Sequence, residues 1–338
     1  MIRERQVFIS PAAVPREALH GAESGFAVRQ AEGEAMGTNW KLRFQAEARV
    51  SLSAVRTTVE AAIHQVVETM SHWDPDSALS RFNRAPAATW HALPEGFFHV
   101  LQRAVEIADL SDGAFDPTLG RLVDLHGFGP SGPVETLPHP THHARAKAEA
   151  GYQRLFLDPP SRSVLQPGGC QLDLSSIAKG YAVDLASQAL LHSGIHDFAL
   201  EIGGELRGHG CKPDGQPWWI GLEAPDELPS SLFALCGLSI ATSGDTYLRR
   251  PLHREKDATV CHLIDPGTGK PTCHPILSVT VAASLCMEAD AWATALYVAG
   301  PKNGPALAEK HQLAALFFLR SEHGYRQWLS PQMKDFLS

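Results

Sequence analysis

Between Phe198 and Ser284 the chain passes through five β-type stretches, FALEIGGELRGHG, PWWIGLEA, LSIATSG, TVCHLIDP and SVTVAAS, with no helical pattern between them. Parallel strands in a doubly wound sheet need a helical crossover from one to the next. Their absence over such a length argues for an α+β fold built on mixed or antiparallel sheets. Helices lie on either side of this region. In SLSAVRTTVEAAIHQVVETMSHW, Val55, Val59, Ile63, Val66 and Met70 share one helical face behind Ser53 as the expected N-cap. PEGFFHVLQRAVEIADLSDG opens at Pro94 and ends before Gly113. A third helix is expected from Ala178 to Leu191, with Ala178, Tyr181, Ala182, Leu185 and Ala189 inward. Further helices are expected in ARAKAEAGYQRL, from about Glu288 to Ala299, and near 304–312. Additional strands are read at 39–46, 154–158, 163–166, 170–174 and in LAALFFLR. Residues 1–30 carry no clear period and read as an N-terminal extension, leaving 31–335 as a single domain.

Charge and cysteine usage narrow the function. The net charge is −8 and the basic residues are scattered, as at Arg249, Arg250 and Arg254, so no nucleic-acid surface is expected. The six cysteines form no CxxC pair, and Cys261-His262 and Cys273-His274 fit no common zinc spacing, so reduced, partly buried thiols are expected. PHPTHH (138–143) reads as a solvated loop. The apolar stretch VFISPAAV is broken by Pro11 and is too short for a secretory core, so the chain as given reads as cytoplasmic, or periplasmic had a leader been removed.

Several short stretches carry chemistry. In EADAWATALYV, Asp290 and Thr294 stand at i and i+4 on one helix face, while alanines keep that helix slim. A carboxylate beside a hydroxyl is a hard oxygen pair suited to Mg²⁺. The same spacing also fits an ordinary helix in which Thr294 bonds back to the Asp290 carbonyl. In LDLSSIAKGYAVD (172–184), a serine pair sits at the entry to a helix, where free N–H groups favour an anion. Ser176 or a backbone carbonyl of this turn is a candidate third oxygen for a metal, and Lys179 a point charge. Capping serines and a solvated lysine are the simpler alternative. HLIDPGTGKP, ATSGD and DGAFDP are Gly/Asp turns at element ends, a pattern suited to wrapping a long polar ligand.

Taken in order, AMGT (35–38), MSHWDPDSALSRFN (70–83), DGAFDPTLG (112–120), LDLSSIAKGYAVD, EIGGELR (201–207), ATSGD (241–245), HLIDPGTG (262–269) and EADAWATAL (288–296) resemble the flavin transferases of the ApbE type, over nearly the whole chain. The resemblance implies an ApbE-like flavin transferase fold and an FAD:protein FMN transferase. FMN passes from FAD to a Thr or Ser hydroxyl of an acceptor protein and AMP leaves, with Mg²⁺ as cofactor. The implied partners are FAD and an acceptor flavoprotein carrying a Ser/Thr target motif, membrane electron-transfer subunits among them.

By the same resemblance Asp290, Thr294 and Ser176 (or the Ala178 carbonyl) match metal ligands. Met36, Trp73, Ala114, Phe115, Asp116, Asp173, Lys179 and Ile264 match nucleotide contacts. His262 matches a histidine that takes the proton of the acceptor hydroxyl, work suited to imidazole. The chain departs from some relatives in having Ala293 where they carry a second acid and Ser175-Ser176 where Gly-Gly or Ser-Thr is common, and as given it reads without the lipoprotein leader of the periplasmic ones. The alternatives are an Mg²⁺-dependent FAD pyrophosphatase and a non-catalytic FAD-binding or delivery protein. Retention of Asp290, Thr294 and His262 argues against the latter.

Overall fold

The computed structural model describes residues 5–10, 27–222, 224–225, 228–244, 249–251 and 259–337. Asp245 of ATSGD and Arg254 lie outside them. Its centre is an eight-stranded sheet in the order Gly324–Leu329, Ala314–Ser321, Ile276–Ala283, Leu238–Gly244, Glu205–His209, Phe198–Ile202, Thr38–Ala46 and Ala27–Ala35. Every pairing in it is antiparallel. The fold is therefore α+β, as the unbroken series of strands requires.

Both faces of this sheet are covered, and LAALFFLR shows how. Along Ala314–Ser321, the side chains of Ala315, Phe317 and Leu319 join the larger core cluster, while Ala314, Leu316 and Phe318 join a second cluster on the other side. Strand side chains alternate between faces, so a strand buried on both sides must be apolar throughout. The larger cluster contains the helices Leu52–Met70, Glu95–Leu110, Ala178–His192 and Cys286–Lys310. The second is closed by a three-stranded sheet in which Ser230–Leu235 lies between Arg5–Ile9, parallel to it, and Trp218–Leu222, antiparallel. Phe8 stacks on Phe233 there, with ring centroids 4.5 Å apart. Part of the N-terminal extension is thus a structural strand. A further antiparallel sheet joins Thr89–Ala92, Ser163–Gln166 and Phe156–Asp158.

The structure corrects several local expectations. The first long helix is capped by Ser51, whose hydroxyl accepts from Ala54 N at 3.4 Å, and not by Ser53. PHPTHH is no loop: Pro140 opens a helix over Pro140–Glu149, with His139 as its cap, and one 3₁₀ turn, Tyr152–Arg154, follows Gly151. FALEIGGELRGHG is a hairpin turning at Gly203-Gly204, where φ is +63° and +104°; only glycine takes both values at low cost. The strand Ser230–Leu235 was not anticipated. The helix Ala178–His192 is buried nearly all round: Val183, Asp184, Ala186, Ser187 and Leu190 join Ala178 and Ala182 inside, while Leu185 and Ala189 are half-buried.

Residues 170–174 are not a strand either. The amide and carbonyl of Leu172 are both satisfied by the Asn83 side chain, at 2.7 and 2.9 Å, and Asp173 N donates to Pro117 O at 2.8 Å. With its backbone groups paired in this way, the segment has no need of a neighbouring strand. TVCHLIDP breaks into Thr259–Cys261 and Ile264–Asp265, with His262 at the break. The two C-terminal helices form one run, Cys286–Lys310, interrupted at Gly300 (φ +81°), after which Pro301 restarts it. Among the described residues, no helix is long and apolar enough to cross a membrane.

Candidate functional site

The site begins with two helices in unusually close contact. A Cβ on Gly180 would lie 2.4 Å from the carbonyl oxygen of Cys286, so the helix Ala178–His192 meets the start of Cys286–Lys310 backbone to backbone. Asp184, one turn further along, holds that approach. Its carboxylate accepts from Cys286 N and Met287 N, both at 2.9 Å, and pairs with Arg207 at 2.9 Å. A carboxylate at a helix start satisfies orphan N–H groups and complements the helix dipole. One turn into the same helix, Asp290 is aimed back, and its Oδ2 accepts from Gly180 N at 3.0 Å. The serine-rich turn and the acidic helix, distant in sequence, are therefore in direct contact, and Gly180 follows Ser176 and Ala178 by four and two residues.

We expect Gly180→Ala to be destabilising although alanine favours a helix by about 1 kcal/mol. The clash is with backbone, which cannot swing aside. A net loss of about 1–3 kcal/mol in urea unfolding is the expected outcome. An unchanged midpoint would show that the helix contact is not tight.

Asp290 has buried, charged company. Lys179 Nζ lies 2.5 Å from Glu205 Oε1, and Glu205 Oε2 is buried with no hydrogen-bond partner among the described residues. Lys179 is thus paired, not solvated. Burial raises the proton affinity of both carboxyls; the Lys179 charge opposes this in each case, and the N–H of Gly180 does so at Asp290. Burial pulls the Lys179 ammonium down, and Glu205 and Asp290 more than reverse that pull. One ammonium thus faces two buried acids. On the next turn Thr294 does not bond back to Asp290; its hydroxyl lies 2.8 Å from that of Ser243, at the end of the strand Leu238–Gly244. Among the described residues, no group of three or more His, Cys, Asp or Glu converges as a metal site. The oxygen set here is of another kind, one carboxylate with hydroxyls and main-chain carbonyls. Hard donors and an unpaired carboxylate oxygen nearby are chemically suited to a divalent cation.

Two cavities carry other candidate segments. The larger, about 790 Å³, has the DGAFDP turn on one side, including Ala114 and Asp116, and Asp265, Pro266 and Gly267 on another. The helix from Val298 to Lys310 forms a third wall, so one helix serves both cluster and cleft. Asp116 is fixed by Thr118, whose N–H and hydroxyl donate to Oδ1 at 2.8 and 2.6 Å, and by Tyr152 N at 3.2 Å. Burial raises its carboxyl despite these bonds. Asp265 closes its own turn, accepting from Gly267 N at 2.9 Å and the Thr268 hydroxyl at 2.8 Å. The Phe115 and Ile264 side chains are in the core.

The smaller cavity, about 260 Å³, is lined by His72, Trp73, Asn83, Arg84 and Leu172 among others. Trp73 is 58% exposed, an indole face open to solvent. Next to it, Asp173 Oδ1 accepts from Ser175 N at 2.8 Å and the Ser175 hydroxyl at 2.5 Å, and stands 3.3 Å from His72 Nδ1. Ser175 is therefore spent on Asp173, and Ser176 has the freer hydroxyl of the two. The bond from Asp173 N to Pro117 O ties this side to the DGAFDP turn. Met36 (φ +54°) lies apart from both cavities' linings, at the turn between Ala27–Ala35 and Thr38–Ala46, half-buried against the core. His262 is half-buried at its strand break, its ring 6.2 Å from that of Phe128.

The Asp173–His72 pair makes acid stability testable. Burial would raise the Asp173 carboxyl, but His72 and Ser175 override it and hold it at about 2. Burial would lower His72, and Asp173 reverses this, so its imidazolium is favoured. The Asp173 contribution is complete above the unfolded carboxyl value and is lost as pH falls from about 4 towards 2. The His72 contribution is complete below the unfolded imidazole value and is lost as pH rises through the raised folded one. Asp173→Asn should flatten the acid limb of stability against pH by about 2 kcal/mol. Parallel acid limbs in variant and parent would refute the pairing.

His72, Asp184, Glu205, Arg207 and Ser243 were not singled out from sequence. Glu205 had a readable signal: the two-residue turn at Gly203-Gly204 pairs it with Ile202, an apolar inward position, so an acid there must face the interior.

Comparison with known proteins identifies the family. Residues 36–317 match the ApbE family. The FAD:protein FMN transferase of Vibrio cholerae is 33% identical over 95% of this chain and 96% of its own length. That of Klebsiella pneumoniae is 32% identical over 90% of this chain and 88% of its own. The crystal structure of the apo flavinyl transferase ApbE from Pseudomonas stutzeri superposes with a TM-score of 0.85 at 33% identity, covering 92% of this chain and 97% of that one. With the family match reaching six of the eight central strands and spanning the helix contact and both cavities, the chain belongs to the ApbE family.

Proposed function

We propose that this chain is an FAD:protein FMN transferase that moves FMN from FAD to a Ser or Thr hydroxyl of an acceptor protein and releases AMP. The observation that carries the reading is the contact of Asp290 with the first turn of the helix Ala178–His192, with Lys179 and Thr294 beside it. Asp290, Thr294 and an oxygen of the 176–178 turn would hold Mg²⁺. When bound, that cation neutralises charge gathering on the pyrophosphate. The protein's own part is positioning. At the start of Ala178–His192 the N–H of Ala178 donates to Leu174 O and that of Gly180 to Asp290, so positive charge for a phosphate comes from Lys179 at the same turn. Trp73 offers a stacking face and Asp173 a carboxylate for sugar hydroxyls. Ala114, Phe115, Asp116, Ile264 and Met36 contribute through the turns that carry them. His262 takes the proton from the acceptor hydroxyl as its oxygen attacks the FMN-side phosphorus.

The test is to incubate the protein with FAD and Mg²⁺, with and without a host lysate containing acceptor proteins, and to follow in-gel flavin fluorescence and AMP. Flavin on an acceptor band, with AMP released only when acceptor is present, is the expected result. Equally fast AMP release without acceptor would replace the reading with an FAD pyrophosphatase. FAD binding with neither product would leave a delivery protein.

A further inference from the structure

We propose that Cys211 and Cys236 form a disulfide bond when the protein meets a disulfide oxidant, and that this bond staples the three-stranded sheet to the central one. The two sulfur atoms are 3.5 Å apart, on residues 25 positions apart in sequence. Both lie in the core cluster between the sheets, with Phe8, Trp218, Phe233 and Leu235. A disulfide needs about 2.05 Å between sulfurs, so closure requires a further approach of about 1.5 Å, a distance that side-chain torsion can supply.

The backbones are held in place independently of the thiols. Cys211 N donates to Asp197 Oδ1 at 2.9 Å. Cys236 sits in the tight turn between Ser230–Leu235 and Leu238–Gly244, where Gly237 (φ +76°) donates its N–H to Gly208 O at 2.9 Å. Gly208 in turn pairs with Leu238, and a Cβ there would stand 2.4 Å from Leu235 Cβ. The close meeting of the two chain segments is therefore a property of the sheet junction, which brings the sulfurs together whether or not they are bonded. The segment between them carries Trp218–Leu222 and most of the small sheet, so the bond would close that sheet into a loop anchored on the central one.

The chemistry is ordinary thiol–disulfide exchange. The Cys211 thiolate attacks the S–S bond of a small disulfide such as oxidised glutathione and expels one thiol. The Cys236 thiolate then attacks Cys211 Sγ in the mixed disulfide and expels the second. Two S–H bonds are lost and one S–S bond forms, and two electrons and two protons leave with the oxidant as two free thiols. Cys211 is the more accessible of the pair, 6% exposed against 1%. Burial, together with the bond to Cys211, pushes the Cys236 thiol up to about 12. The folded dithiol therefore reacts slowly, and the bond forms most readily while the junction is still closing.

The experiment uses the full chain in two treatments, native incubation with oxidised glutathione and refolding from denaturant in the same reagent. A parallel Cys273→Ser sample excludes bridging through the exposed thiol. The expected result is a loss of two of the six titratable thiols, a Cys211–Cys236 cross-linked peptide in a non-reducing map, and a Tm higher by roughly 5 °C. Dithiothreitol should abolish the gain, and Cys211→Ser should never show it. Six free thiols after both treatments, or a cross-link between other cysteines, would overturn the proposal, leaving a buried S–H···S contact. A correct cross-link without a rise in Tm would overturn the stapling role.

Discussion

Asp290→Asn is expected to remove FMN transfer, by about 10³-fold or more, while leaving the protein as stable as the parent or slightly more so. The two halves of this expectation have one cause. Asp290 is buried, and burial raises its carboxyl despite the nearby Lys179 charge and the N–H of Gly180. A charge kept where it costs stability points to work done in another state of the molecule. Asparagine keeps the shape, and its carbonyl oxygen can still accept from Gly180 N, so the helix contact survives. It removes the negative charge that a divalent cation needs. Denaturant unfolding and flavinylation at graded Mg²⁺ check both halves. A variant that labels acceptor at the parent rate in limiting Mg²⁺ shows that Asp290 holds no metal. A large drop in stability shows that its charge is structural.

The second large effect is expected at His262. Its replacement by alanine should lower transfer by about 10²–10⁴-fold, the usual contribution of a general base. The position supports an effect on turnover and not on FAD affinity. His262 lies at the break between Thr259–Cys261 and Ile264–Asp265, beside Phe128, and in neither cavity lining. Single-turnover rates with saturating FAD should therefore collapse while the FAD Kd stays within a few-fold of the parent. A loss of only a few-fold in rate would reduce His262 to a positioning residue.

Features set by local pattern were legible in the sequence. The buried face of Leu52–Met70 follows from apolar spacing, and Val55, Val59, Ile63, Val66 and Met70 are all inside. Asp290 and Thr294 could be placed on one helix face from their separation alone. What the pattern could not give was the partner of each group. Leu172 looked like strand because nothing nearby reveals that Asn83, 89 residues away, satisfies both its backbone groups. Thr294 looked able to bond its own helix, and only the strand end at Ser243 offers the alternative. The sequence left Lys179 open between a point charge and a solvated lysine, because Glu205 reaches it from a hairpin 26 residues on. Those partners are set by tertiary packing, which overrides local preference.

The cluster around Asp290 is drawn from residues 179–184, 205–207, 243 and 286–294, strung across about a hundred positions and closed last from the C-terminal side. During synthesis, a ribosome that has reached Ser243 has made the lysine, the glutamate and the serine but not the helix that completes the cluster. A fragment released early therefore lacks the Asp290 contact altogether. A cluster built on such long-range pairing is complete only once the C-terminal helix has packed against the rest of the chain.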